Sequence, residues 1–189
     1  MVGSFGRKYI DVLKPLVILL NKIGISPNAL SILGVIMSIF AGLSFSMGYF
    51  VCASISLVFA GLFDILDGSL ARMNKTNNFG VFLDSTLDRY SDSFVLFGIA
   101  YYFMEKNSFL VVVSLFALLG AYTTSYTRAR AEKFIEMHGI GILERPERII
   151  LLIIGGLTRM DIVLWILAIL GNITAIQRII YVRRVLKND

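Results

Sequence analysis

No charged side chain lies between Lys22 and Asp64. An uncharged, largely apolar run of that length has room for two passes through a hydrocarbon layer of ~30 Å. Ser26-Pro27 reads as an N-cap followed by proline at the first helical position, which starts the first pass. The first span is expected over about 28–49, the second over 50–73 and the third over 79–104. The fourth starts near Ser108, turns polar from Thr123 and ends in the run Arg128-Ala129-Arg130-Ala131-Glu132-Lys133. A connector over 134–144 precedes a shorter fifth helix, expected from Pro146 to Leu157. The sixth is expected from an Asp161 cap towards Arg184. A chain 57% hydrophobic and 16% charged, with mean hydropathy +0.77, is composed like a polytopic membrane protein and unlike a soluble domain. The expected fold is all-α, with six transmembrane helices in one domain spanning residues 1–189.

Ahead of the bundle (25–189), residues 1–24 behave differently. The stretch 5–23 carries too much charge to cross a bilayer. Tyr9, Val12, Leu13, Leu16, Val17 and Leu20 recur at helical spacing, with Arg7, Lys8, Asp11 and Lys14 largely opposite. That pattern predicts an amphipathic helix lying in the membrane interface. Charge within its apolar stretch argues against a cleaved signal peptide.

Charge placement orients the spans. Of the 18 Lys and Arg, all but Lys106 and Arg159 fall on one side of the predicted topology. By the positive-inside rule that side is cytoplasmic, and it holds both termini and the segment around Thr76. The net charge of +5 then reflects topology and contact with anionic headgroups, not nucleic acid. Cys52 is the only cysteine, so no intramolecular disulfide forms and no cysteine cluster binds metal. His138, the only histidine, reads as a loop residue.

Four aspartates interrupt this apolar background. Asp64 and Asp67 are three residues apart in the second span, and Asp84 and Asp88 four apart in the third, so each pair shares a helix face. In antiparallel helices joined by a turn near Thr76, Asp64 and Asp88 lie equally far from the turn, with Asp67 and Asp84 nearer it. A carboxylate in a membrane helix costs several kcal/mol unless paired, solvated or metal-bound. Arg72 and Arg89 are too few to neutralise four. The arrangement reads as an all-oxygen box for one or two hard divalent cations. Gly68 and Ala71 lie on the carboxylate face and leave room against the backbone, and Arg72 can grip a phosphate bidentately.

Asp64-x-x-Asp67-Gly68-x-x-Ala71-Arg72, followed by Gly80-x-x-x-Asp84-x-x-x-Asp88, resembles the signature of the CDP-alcohol phosphotransferases. The segment from Met73 to Phe79 is one residue shorter than that family usually shows, and the difference falls in the turn. The resemblance implies a six-helix membrane enzyme, commonly a homodimer, that moves a phosphatidyl-type group from a CDP-activated lipid to an alcohol and releases CMP. It implies Mg²⁺ or Mn²⁺, two ions, held by the four aspartates, with Asp88 as the base for the acceptor hydroxyl. Gly68, Ala71, Arg72 and Gly80 would lie against the CDP group.

The runs at 128–132 and 144–148 look like the branch whose acceptor is inositol 1-phosphate. A phosphorylated acceptor needs a cationic pocket, and Arg128, Arg130, Arg145 and Arg148 are candidates for it, with Arg178 added by the resemblance. The competing reading makes these arginines topogenic charges or partners of Glu132, Glu144 and Glu147. Asp92 either accepts from inositol hydroxyls or orients Arg89. Glycerol 3-phosphate or another alcohol is the alternative acceptor. A cation transporter is the alternative outside enzymes; it predicts inverted repeats, of which the chain shows none.

Overall fold

The computed structural model describes residues 2–74, 78–137 and 139–187, with side chains from Leu13 onward. Thr76, Asn77 and His138 lie outside the described residues, as do the side chains of Arg7, Lys8, Tyr9, Asp11 and Val12. Among the described residues the chain is helical: α1 (Val2–Ile23), α2 (Pro27–Ser46), α3 (Phe50–Met73), α4 (Asn78–Phe103), α5 (Ser108–Ala131), α6 (Arg145–Leu157) and α7 (Met160–Val185).

Local chemistry sets most of these limits. The Ser26 hydroxyl accepts from the Ala29 amide at 3.2 Å, with Pro27 opening α2. The Asn107 side chain caps α5 by accepting from Phe109 N at 3.1 Å. Two predicted limits shift. The first span stops at Ser46, three residues early, because Gly48 turns the chain at φ +83° and Tyr49 becomes the N-cap of α3. Asp161 does not cap α7. It lies in the first turn, where Arg159 donates to it at 2.7 and 3.0 Å.

Of the helices, α2, α3, α5 and α7 are long and apolar enough to cross a membrane. Asp84, Asp88, Arg89 and Asp92 make α4 more polar, and α6 has 13 residues, or ~20 Å of rise. The chain is therefore an all-helical membrane protein. Its apolar core centres on Phe45, Ala53, Leu57, Ile99, Val113 and Leu164. These come from the end of α2, the start of α3, the end of α4 and the starts of α5 and α7, so the opposite end of the bundle is left for the aspartates.

The packing order places them. The helix α2 lies against both α3 and α4, α5 packs on α4 and α7, and α6 bridges α3 and α7. Where α2 crosses α4 the backbones touch: a Cβ on Gly98 would overlap the Gly42 carbonyl, and one on Gly42 would overlap that of Phe94. Small residues permit such approach where lipid supplies no hydrophobic drive between helices. Consecutive α3 and α4 make little direct contact among the described residues. They are held by α2, not by each other, and the gap between their polar ends is a cavity.

The first helix, α1, packs on α3. Val17 is buried against Leu66 and Leu70, with Leu13 and Leu20 beside it. Leu16, predicted on the same apolar face, is instead exposed. Leu66 and Leu70 lie on the side of α3 away from Asp64 and Gly68, so α1 supports the back of the helix that presents those two.

Candidate active site

Asp64 on α3 and Asp84 and Asp88 on α4 bring carboxylate oxygens within 4.8 Å of one another. The i, i+4 spacing on α4 puts its pair on one face, and α2 holds that face opposite α3. Asp67 stands apart from the three. Its Oδ2 accepts from the Ser31 hydroxyl of α2 at 2.6 Å, and the residue is buried. All four expected carboxylates line one small pocket, three of them within 4.8 Å of one another.

A guanidinium from α6 reaches two of the three. Arg145 Nη1 donates to Asp64 Oδ1 at 2.5 Å and lies 2.9 Å from Asp88 Oδ1. Arg72 and Arg89 are the two bases that the sequence places nearest the aspartates. In the structure Arg72 donates to Ser69 Oγ at 3.0 Å, and Arg89 sits 3.6 Å from Asp88 while also donating to the Ser85 carbonyl. Arg145 thus contacts two of the clustered carboxylates and Arg89 one.

The carboxylates separate two cavities. One, of about 440 Å³, is lined by Ser26, Asn28, Ser31, Asp67, Gly68, Ala71, Arg72, Gly80 and Asp84. All four residues that the signature assigns to the CDP group, Gly68, Ala71, Arg72 and Gly80, therefore face one space. Gly68 lies under the Arg72 guanidinium, where a Cβ would stand 3.5 Å from Nη1. The other cavity, of about 290 Å³, is lined by Arg89, Arg128, Arg145, Arg148 and Arg178 against three carboxylates, Asp88, Glu132 and Glu144. Asp84 borders the first and Asp88 the second.

The second cavity gathers most of the arginines proposed from sequence but not all. Arg130 is exposed and lines neither cavity. Residues two apart on a helix point to opposite sides, so α5 can turn only one of Arg128 and Arg130 inward. Arg128 also pairs with Glu132 at 2.8 Å and lies 3.9 Å from Glu144. Arg148 is buried and donates to Asp92 at 2.8 Å. Asp92 thus orients Arg148, not Arg89. Arg178 is a clamp: it donates to the carbonyls of Ile140 and Thr124 at 2.8 and 2.7 Å and to Glu144 at 3.1 Å. It fastens the 132–144 connector to α5 and α7.

Sequence reasoning missed Ser31. Ser31 is 36 residues from Asp67, and nothing local links them. Glu144, a candidate arginine partner in the sequence, pairs with Arg178 at 3.1 Å and lies 3.9 Å from Arg128.

Three clustered carboxylates are an all-oxygen donor set, which fits a hard divalent cation and not a soft one. Such a site beside a cavity open to the backbone and another rich in arginine is able to hold two phosphate-bearing molecules on either side of it.

Known proteins share this fold. The chain is 41% identical over 165 residues to archaetidylinositol phosphate synthase of Pyrococcus horikoshii, covering 85% of each chain. It superposes on the crystal structure of Mycobacterium tuberculosis phosphatidylinositol phosphate synthase with CDP-DAG bound at a TM-score of 0.81. The identity there is 32%, with 91% of this chain and 94% of that one covered. The crystal structure of the same mycobacterial enzyme with manganese and citrate matches at a TM-score of 0.80 and 32% identity, covering 89% and 87%. The CDP-alcohol phosphatidyltransferase family model matches residues 24–183, and the chain belongs to that family.

Proposed function

We propose that this protein transfers the lipid phosphate group of a CDP-activated lipid to inositol 1-phosphate, releasing CMP. The observation that carries the reading is the carboxylate wall between a cavity with one arginine and a cavity with five. A nucleotide diphosphate in the first would meet a phosphorylated alcohol in the second at Asp84 and Asp88. The names of the relatives, an archaetidylinositol phosphate synthase and a phosphatidylinositol phosphate synthase, support that choice of acceptor.

In this reading Asp64, Asp84 and Asp88, with Asp67 beside them, would hold Mg²⁺ or Mn²⁺, two ions that would neutralise the diphosphate and the departing CMP. Gly68 and Ala71 let the nucleotide lie against α3, and Arg72 reaches over it from the turn above. Asp88 faces the acceptor cavity and takes the proton of the attacking hydroxyl. Arg128, Arg145 and Arg148 receive the acceptor's phosphate, while Arg178 and Glu144 keep the cavity wall in place.

The reading extends to the whole chain. It forms one domain with six membrane spans, α4 and α6 included, and α1 lies in the interface. Both termini and the two cavities face the cytoplasm, as the bias of Lys and Arg implies. The family resemblance adds a homodimer in the cell membrane.

Purified protein with a CDP-lipid and Mg²⁺ should release CMP only when inositol 1-phosphate is added, and chelator should stop it. CMP release that is equally fast with free inositol would defeat the choice of acceptor. Release without any acceptor would defeat the transfer itself.

A further inference from the structure

Arg145 belongs both to the carboxylate wall and to the arginine cavity beside it. It opens α6, and Nη1 reaches Asp64 and Asp88 at 2.5 and 2.9 Å, yet the same side chain lines the cavity of the five arginines. Its Nε is buried without a hydrogen-bond partner among the described residues. A buried guanidinium donor with no acceptor is costly. Arg178 contrasts with it, since Nε, Nη1 and Nη2 all have protein acceptors. Arg145 is thus strongly held at one nitrogen and unsatisfied at another.

We propose that Arg145 is a movable cation that couples metal binding to acceptor binding. With no divalent ion it lies on the clustered carboxylates and offsets their mutual repulsion. A divalent ion needs the same oxygens of Asp64 and Asp88 and carries twice the charge, so it displaces the guanidinium. The freed fork turns into the cavity it already lines, where a phosphate offers acceptors for both Nη and Nε. The acceptor's phosphate finds its complete set of arginines only after the metal is loaded. Linkage makes this reciprocal, so the acceptor must tighten metal binding by the same factor. The inference rests on the proposed metal site and acceptor, and it adds the dependence of one on the other.

Mn²⁺ binding to the purified full-length protein, followed by the electron paramagnetic resonance signal of free Mn²⁺, tests it. In the unmutated chain, inositol 1-phosphate should tighten Mn²⁺ binding by about 5- to 150-fold, the usual range of coupling between sites. Arg145→Ala should bind Mn²⁺ more tightly than the unmutated chain when no acceptor is present, and the acceptor should then change that affinity by less than about twofold. Coupling that survives in Arg145→Ala would mean the phosphate contacts the metal directly, and the proposal would fall. It would fall too if Arg145→Ala bound Mn²⁺ no better than the unmutated chain. Should the variant not fold, the unmutated chain decides alone, because absence of coupling in it is sufficient refutation. CMP release separates this from the function itself. Normal turnover without coupling removes only the role of Arg145, whereas no turnover with inositol 1-phosphate removes both.

Discussion

The two cavities that meet at the carboxylates are built on opposite plans. The larger is walled by small residues and one exposed arginine, Arg72. The smaller is walled by five arginines, each tied into an ion pair with Glu132, Glu144, Asp88 or Asp92. The difference follows from where neutralising charge comes from. A diphosphate bound at a metal needs space and backbone approach, because the metal supplies the charge. A phosphate bound away from the metal needs fixed cations, and fixed cations in a membrane protein need carboxylates to hold them. Buried pairs such as Arg148–Asp92 therefore serve geometry more than stability.

The largest effect is expected where the two plans join. Asp88→Asn should lower turnover by about 10²- to 10⁴-fold, the usual contribution of a general base. CDP-lipid binding should persist in part, since Asp64, Asp67 and Asp84 remain. Steady-state CMP release beside equilibrium binding of the CDP-lipid measures both, and near-normal turnover would remove Asp88 as the base.

Next comes the arginine side alone. Arg148→Ala should raise the KM for inositol phosphate about ten- to a hundredfold, as expected for a charge-assisted bond of ~1.5–3 kcal/mol. The KM for the CDP-lipid should change little, and Arg148→Lys should recover only part of the loss. Since Asp92 would be left buried and unpaired, the thermal midpoint of Arg148→Ala should also fall, and that of Arg148→Lys less. Equal losses for both substrates would erase the division between cavities.

The opposite selectivity is expected on the other side. Ala71→Leu fills part of the larger cavity and should raise the KM for the CDP-lipid about tenfold, within the ~1–3 kcal/mol typical of overfilled sites. The KM for inositol phosphate should stay within twofold. The smallest effect is expected of Arg130→Ala. Exposed and outside both cavities, it should leave both KM values within about twofold, as surface changes of ~0.5 kcal/mol do.

That last prediction marks a limit of reading the chain by eye. Helix limits were legible because their causes are local: Ser26 and Pro27 start α2, and Asn107 caps α5. The aspartate faces were legible because a 3.6-residue period is enough to derive them. The same period would have excluded Arg130 from the side of Arg128, had it been applied to that run. Other features depend on packing that no period reveals. Ser31 meets Asp67 only because α2 lies against both α3 and α4. Arg148 meets Asp92 across 56 residues, and Arg145 meets Asp64 across 81. The pairing of consecutive helices was the natural expectation for α3 and α4, and α2 between them replaced it.

The brevity of α6 has a consequence for how the two substrates meet. At 13 residues its ~20 Å cannot match a hydrocarbon layer of ~30 Å. If α6 is a span, as proposed, its first turn, which bears Arg145 and Arg148, would begin below the level of the surrounding headgroups. Water would then follow the arginines down to that level. A sugar phosphate can descend this well without shedding its hydration into oil. The lipid donor, for its part, can offer its diphosphate there while its chains stay in the leaflet.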